Sequence, residues 1–155
     1  PLRLVGSEMC IRDSYITSRI DVNNKCFLAP ENMTEAIKSY CNNNDLIIPD
    51  TAGEIAAVVY KSLADSYADT VMQIEKNLDI TYDAIYVIGG GANAGYLNQL
   101  TADSTGKTVV AGPAEATAIG NIMAQMIADS VFKNLKEARA CVRDSFDIKR
   151  FEQKR

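Results

Sequence analysis

Histidine is absent from this chain. Its absence excludes a histidine-containing catalytic triad, a histidine metal site and an imidazole general base within these residues. Cysteine is sparse: Cys10, Cys26, Cys41 and Cys141 are scattered singly and no CxxC pair exists, so neither a zinc site nor a redox dithiol is encoded. Thiols spaced this way are expected to stay free in a reducing cytoplasm. Long apolar runs are missing too. None approaches the roughly 18 residues that span a bilayer, and no pattern of charge, apolar block and cleavage site marks a secretory signal. Nor is there an excess of positive charge: 16 lysines and arginines stand against 20 aspartates and glutamates, a net charge of −4. That balance argues against a broad nucleic-acid footprint.

What is present suits one globular domain with a real core: 155 residues, 47% hydrophobic and 23% charged. The first fourteen residues, PLRLVGSEMCIRDS, have neither periodicity nor turn logic. VGSEMCIRDS reads like the conceptual translation of a sequencing adapter. Residues 1–14 are therefore expected to be a scar outside the fold, and the natural chain is expected to extend upstream.

Beyond them, Ile16, Ser18, Ile20 and Val22 alternate as in a strand or extended segment. A short helix is expected from Met33 to Tyr40, with a loop over Asn42–Asp45. Thr51 and Glu54 fit a capping box opening the longest helix, which runs to Leu78. Its stripe of Ile55, Val59, Leu63, Tyr67, Val71, Ile74 and Leu78 recurs every three or four residues and is expected to face inward. Alanines 52, 56, 64 and 68 line a neighbouring face that permits close packing. At about 1.5 Å per residue such a helix is roughly 40 Å long. Asp65 and Asp69, four apart on its polar side, read as a solvated face. Further on, the order is strand (Ala84–Ile88), glycine turn, helix (Gly95–Ser104, stopped by Gly106), strand (Lys107–Ala111), Gly112-Pro113 break, helix (Glu115–Ser130) and helix (Val131–Val142). The tail from Lys149 to Arg155 is polar and expected to fray. The two strands are expected to lie side by side and parallel, as a βαβ unit requires. Two strands are few for an independent sheet.

The densest chemical signal is DAIYVIGGGANA, Asp83–Ala94. A short Ile/Val run ends in Gly89, Gly90 and Gly91, then a helix begins. Residues without Cβ allow a sharp turn and close approach of another molecule. A tight turn with no ligand is the plainer reading. Gly90 and Gly95 have Walker A spacing, but Tyr96-Leu97 replaces the lysine and hydroxyl that P-loop chemistry needs. Gly89–Ala94 fits the GxGxxG/A dinucleotide form, yet Val109–Gly112 offers no carboxylate where the ribose partner is expected. Glu115 and Lys107 read as a first-turn acid and a strand-edge charge. Mid-helix Gly120 costs about 1 kcal/mol against alanine, which close helix–strand packing would justify.

The segment IYVIGGGANAGYLNQLTADSTGKTVVAGPAEATAIGNIMAQ resembles the C-terminal region of the FGGY carbohydrate kinases. The resemblance extends over about Phe27–Val142, through FLAPENMTEAI, EIAAVVYKSLADSYADTV, GGGANAGYLNQLTAD and GPAEATAIGN. It implies an α/β fold: part of an actin-like, ribonuclease H-like C-terminal lobe, helix-rich with a βαβ unit. In domain terms, 15–148 is expected to be a partial kinase C-terminal domain and 149–155 a polar tail. The resemblance also implies ATP with Mg2+, a cytoplasmic enzyme, and no nucleic-acid or membrane partner. FLAPENMTEAI narrows it to members that phosphorylate O1 of L-rhamnulose. The ATP-binding residues it implies are Gly89, Gly90 and Gly91, with Ala92 and Asn93 beside the base. Helix N-terminal amides nearby favour phosphate. Asn98 and Gln99 are as well explained by helix-surface or capping contacts.

No residue here matches the family's catalytic aspartate, its N-terminal phosphate loop or its sugar contacts. Catalytic and metal residues are therefore expected to be none, the missing N-terminal lobe is the implied partner, and the stretch alone is expected to be inactive. Another FGGY kinase, acting on xylulose, fuculose or glycerol, and a non-catalytic actin-like ATP-binding module remain the alternatives.

Overall fold

The computed structural model describes residues 15–154; the expectation about residues 1–14 lies outside them. The chain divides into two compact units at Asp79/Ile80.

In the first unit, Ile16, Ser18 and Ile20 are buried and their neighbours exposed. The alternation is that of a strand, but no ladder partner pairs with it among the described residues. Side chains take the ladder's place. Ser62 Oγ accepts from Ile20 N at 3.0 Å, Tyr40 Oη accepts from Asp21 N at 3.3 Å, and Lys61 Nζ donates to Ile16 O at 3.0 Å. Burial and the nearby Arg19 charge hold the Lys61 ammonium below its usual pKa. Ser18 Oγ in turn donates to Ile47 O at 2.6 Å.

Helix α1 spans Met33–Asn43. Asn32 caps it by accepting from Thr34 N and Glu35 N, satisfying donors with no intrahelical partner. It runs three residues past the expected end, and the added turn carries Cys41 into the core. Burial raises the Cys41 thiol pKa, which keeps it protonated and unreactive.

Helix α2 spans Ala52–Leu78, 27 residues. Its capping box forms as expected: Thr51 Oγ1 accepts from Glu54 N, and Glu54 Oε2 accepts from Thr51 N and Asp50 N. These backbone donors hold the Glu54 carboxyl below its ordinary pKa. The buried face differs from the expected stripe. Ala57, Val58, Ser62 and Ala64 are buried, Ile55, Val59 and Leu63 are half-buried, and Tyr67, Ile74 and Leu78 are exposed. The inner face centres on Val58 and Ser62 because Ser62 must reach the backbone of Ile20. Asp79, in the left-handed region at φ 54°, ends the helix.

The second unit contains a three-stranded mixed sheet, in order β1 (Ala84–Val87), β2 (Thr108–Ala111), β3 (Lys149–Phe151). Strands β1 and β2 are parallel, with Ala84 opposite Thr108 and Val87 opposite Ala111. The expectation of two adjacent parallel strands holds. Helix α3 (Gly95–Thr105) connects them and packs on β2. Gly106 stops it at φ 68°, its amide bonding Ala102 O. Val109, Val110 and Ala111 are all buried, as a central strand requires.

Over the described residues 149–154 the expected fraying of the tail is not found. Residues 149–151 pair antiparallel with β2, Val109 opposite Phe151 and Ala111 opposite Lys149. Gln99 Nε2 donates to Glu152 O at 2.8 Å and Asp103 Oδ1 accepts from Lys154 N at 2.8 Å. Polar composition concealed this strand because an edge strand exposes most of its side chains.

Helix α4 spans Ala116–Ala128, and helix α5 spans Leu135–Ser145 rather than Val131–Val142. The later start is set by Asn134, whose Oδ1 accepts from Glu137 N while Glu137 Oε2 accepts from Lys133 N. This Asn-x-x-Glu signature was readable in the sequence. A Cβ at Gly120 would meet nothing within 4 Å, so close helix–strand packing does not account for that glycine.

Candidate functional site

The glycine turn grows out of β1. Ile88 is extended, and Gly89–Asn93 then wind into a 3-10 turn ahead of α3. Only Gly89 needs its missing Cβ for backbone reasons: its φ is +74°, a region costly for L side chains. Gly90 and Gly91 have no positive φ, contrary to the strain that a glycine run suggests. At Gly91 a Cβ would touch Val87 Cγ1 at 3.4 Å, whereas at Gly90 it would meet nothing within 4 Å.

Two contacts extend the β1–β2 pairing past the strand ends. Gly112 N donates to Val87 O at 2.9 Å and Gly89 N to Pro113 O at 3.4 Å. The GGG turn and the Gly112-Pro113 loop, 23 residues apart from Gly89 to Gly112, therefore lie side by side at one end of the sheet. Gly112, at φ +121° and with a Cβ position 3.1 Å from Asp147 O, is a glycine by necessity.

Of the five residues expected to hold nucleotide, Gly90, Gly91 and Asn93 are exposed and Gly89 is half-buried. Ala92 is 6% exposed and its carbonyl accepts from Asn98, so little of this residue is open to a ligand. Asn98, on the first turn of α3, is 3% exposed. Its Nδ2 donates to Gly91 O at 3.2 Å and to Ala92 O at 3.3 Å. It is thus a brace behind the turn, a role the sequence did not reveal because it depends on how α3 folds back. Gln99 points away, bonding Asp103 and Glu152. Lys107 Nζ donates to Tyr82 O at 2.8 Å, tying down the entry to β1. Glu115 precedes α4 and makes no side-chain cap bond. Tyr86 on β1 and Ile88 just after it, 73% and 61% exposed, leave an apolar surface next to the turn.

Concavities among the described residues lie elsewhere, two of which stand out. One, of about 160 Å³, is an apolar groove between α4 and α5 lined by Ile119, Met123, Met126, Cys141 and Phe146 among others. The other, of about 420 Å³ in the first unit, is polar and lined by Asn23, Asp65, Ser66 and Asp69. Asp65 there pairs with Arg19 at 2.8 Å, an exposed bond worth little. Among the described residues no group of cysteines and carboxylates could hold a metal ion, and no helix is long and apolar enough to cross a membrane.

The model of the C-terminal domain of the FGGY family of carbohydrate kinases matches residues 20–128. The chain belongs to the FGGY family. The match contains the glycine turn, its Asn98 brace and the Gly112-Pro113 loop, and ends before α5 and β3. A rhamnulokinase of Oceanobacillus iheyensis is 48% identical over 131 residues, 84% of this chain and 28% of that protein. A rhamnulokinase of Bacillus subtilis is 49% identical over 135 residues, 87% of this chain and 28% of that protein. A third, from Lactiplantibacillus plantarum, is 39% identical over 132 residues, 85% of this chain and 27% of that protein. The FGGY chain described here spans a little over a quarter of the length of these curated relatives.

Proposed function

We propose that this chain is the ATP-binding C-terminal part of a rhamnulokinase, which transfers the γ-phosphate of ATP to O1 of L-rhamnulose. Gly89–Asn93 form the surface on which adenosine rests, within an actin-like lobe that makes one side of the nucleotide cleft. The observation that carries this reading is Gly90. Its backbone does not require glycine and nothing among the described residues crowds its Cβ position. Glycine there gives up about 0.5–1 kcal/mol against alanine, and contact with a molecule outside the chain supplies the reason. The adjacent apolar surface of Tyr86 and Ile88 suits a flat base. The sugar is supported by the rhamnulokinase relatives alone.

Phosphoryl transfer depends chiefly on positioning and charge neutralisation. This chain contributes positioning: the turn holds the adenosine end so that the phosphates extend toward the acceptor. Taking the proton from O1 requires a base such as an aspartate, and no residue here is assigned that role. The described residues do not fit a metal cage, so Mg2+ is proposed to accompany the ATP phosphates and no step is routed through it.

The test is a Gly90→Val substitution in the complete kinase, its remaining part supplied by its own gene or by the Bacillus subtilis relative. The added side chain occupies the adenosine position, and the KM for ATP is expected to rise about tenfold or more while that for L-rhamnulose stays put. An unchanged ATP KM in a variant that melts normally rejects the assignment. Rates with xylulose, fuculose and glycerol, compared with L-rhamnulose, test the sugar separately.

A further inference from the structure

We propose that Asn98 is the positioning residue of the nucleotide turn: by bonding the Gly91 and Ala92 carbonyls it sets the shape, and hence the ATP affinity, of the Gly90 face. This inference rests on the reading of the turn as an adenosine platform.

Gly89–Asn93 is a single 3-10 turn containing three glycines. Glycine loses more conformational freedom on ordering than any other residue, so a contact from outside the turn has more to contribute to its shape. Its own backbone supplies the 3-10 bonds along Gly89–Asn93, Ala94 N bonds Gly91 O at 3.1 Å, and Gly89 N bonds Pro113 O at a long 3.4 Å. To these the Asn98 side chain adds a hold from outside the turn, buried at 3% exposure with its amide shared between two successive carbonyls. Helix α3 fixes that amide, since Asn98 N bonds Ala94 O at 2.9 Å. Asn98 lies behind the turn and Gly90 is exposed in front, so the brace shapes the platform without touching the ligand. Asparagine suits the place because it donates. Aspartate has almost the same shape but presents only acceptor oxygens to two carbonyls.

The experiment compares Asn98→Asp and Asn98→Ala with Gly90→Val in the complete kinase. Each Asn98 variant is expected to raise the ATP KM about tenfold, with kcat and the sugar KM changed by less than about twofold. Val109→Ala, which thins the core at β2 away from the turn, serves as the destabilised control and is expected to leave the ATP KM alone. If Gly90→Val raises the ATP KM but folded Asn98 variants do not, the brace is overturned and the platform stands. If Gly90→Val has no effect, the platform itself fails. An equal rise in Val109→Ala makes Asn98 merely structural and also overturns the inference. Should neither Asn98 variant melt cooperatively, the unsubstituted kinase decides. The Asn98 side-chain amide protons are expected to exchange slowly and to shift on addition of ATP, and unshifted resonances overturn it.

Discussion

The segment from Tyr15 to Ile20 and the segment from Thr108 to Ala111 are both short, rich in β-branched residues and partly or wholly buried, yet only the second is a strand. Strand β2 has a ladder on each side. In the first segment the bonds at Ile16, Ile20 and Asp21 go to Lys61, Ser62 and Tyr40. Buried backbone groups must be paired in either case. A ladder does this with repeating bonds insensitive to side-chain identity, whereas side-chain pairing makes each position depend on one named residue. The two regions should therefore respond differently to mutation: the sheet to volume and charge, the extended segment to loss of single polar groups.

The largest effect is expected in the sheet. Val109→Asp places a carboxylate at a fully buried position of the central strand. A cost above about 4 kcal/mol is expected, and loss of the sheet's amide protection in hydrogen exchange would show it. A soluble variant with β1–β2 protection intact would mean that β2 is not the centre of that unit's stability.

Ser62→Ala sharpens the comparison from the other side. It removes the acceptor of Ile20 N and a donor to Val58 O, leaving a buried amide unpaired at a cost of about 1–3 kcal/mol. Exchange at Ile20 should accelerate while Val109 and Val110 keep their protection. If the extended segment is unaffected, side-chain pairing is not what holds it.

A smaller effect belongs to the start of α2. Thr51→Ala should cost about 1 kcal/mol by removing the cap on Glu54 N. The Glu54 carboxyl has a folded pKa below its ordinary 4.5. Its contribution is therefore complete above that value and lost as pH falls through the lower, folded one. Melting followed from pH 6 to pH 2 should show Glu54→Gln losing less than the unsubstituted chain over the acid part of that range. Parallel curves would remove the capping box from the account.

The smallest effect on stability is expected at Gly90. Gly90→Ala meets open space without positive φ and should be neutral or stabilising by up to about 1 kcal/mol, whereas Gly89→Ala should destabilise. Equal losses at both positions would mean that the turn is shaped by the fold alone.

Local signals were legible from the residues themselves: the Thr51/Glu54 box, the long helix to Leu78, the two parallel strands and the Gly106 stop. Each depends on contacts within a few residues, or on a connection too short to allow another arrangement. The Asn134/Glu137 start is equally local, although the apolar pattern from Val131 points to an earlier one. The inner face of α2, the strand at Lys149–Phe151 and the brace at Asn98 depend on partners far along the chain. Ser62 finds Ile20 42 residues away and Gln99 finds Glu152 53 residues away.

For the candidate site the same division holds. The run of glycines after an apolar strand, with NQLTAD and GPAEATAIGN following, was enough to mark Gly89–Asn93 and to point to the FGGY family. The triplet GGG says nothing of what each glycine is for. Tertiary structure assigned Gly89 to backbone conformation, turned Ala92 inward, left Gly90 open and set Asn98 behind them. Sequence determines which turns and helix ends are available, because those follow from φ preferences and neighbouring hydrogen bonds. Which atoms of a turn face outward is decided only when a helix packs against it and takes up its carbonyls.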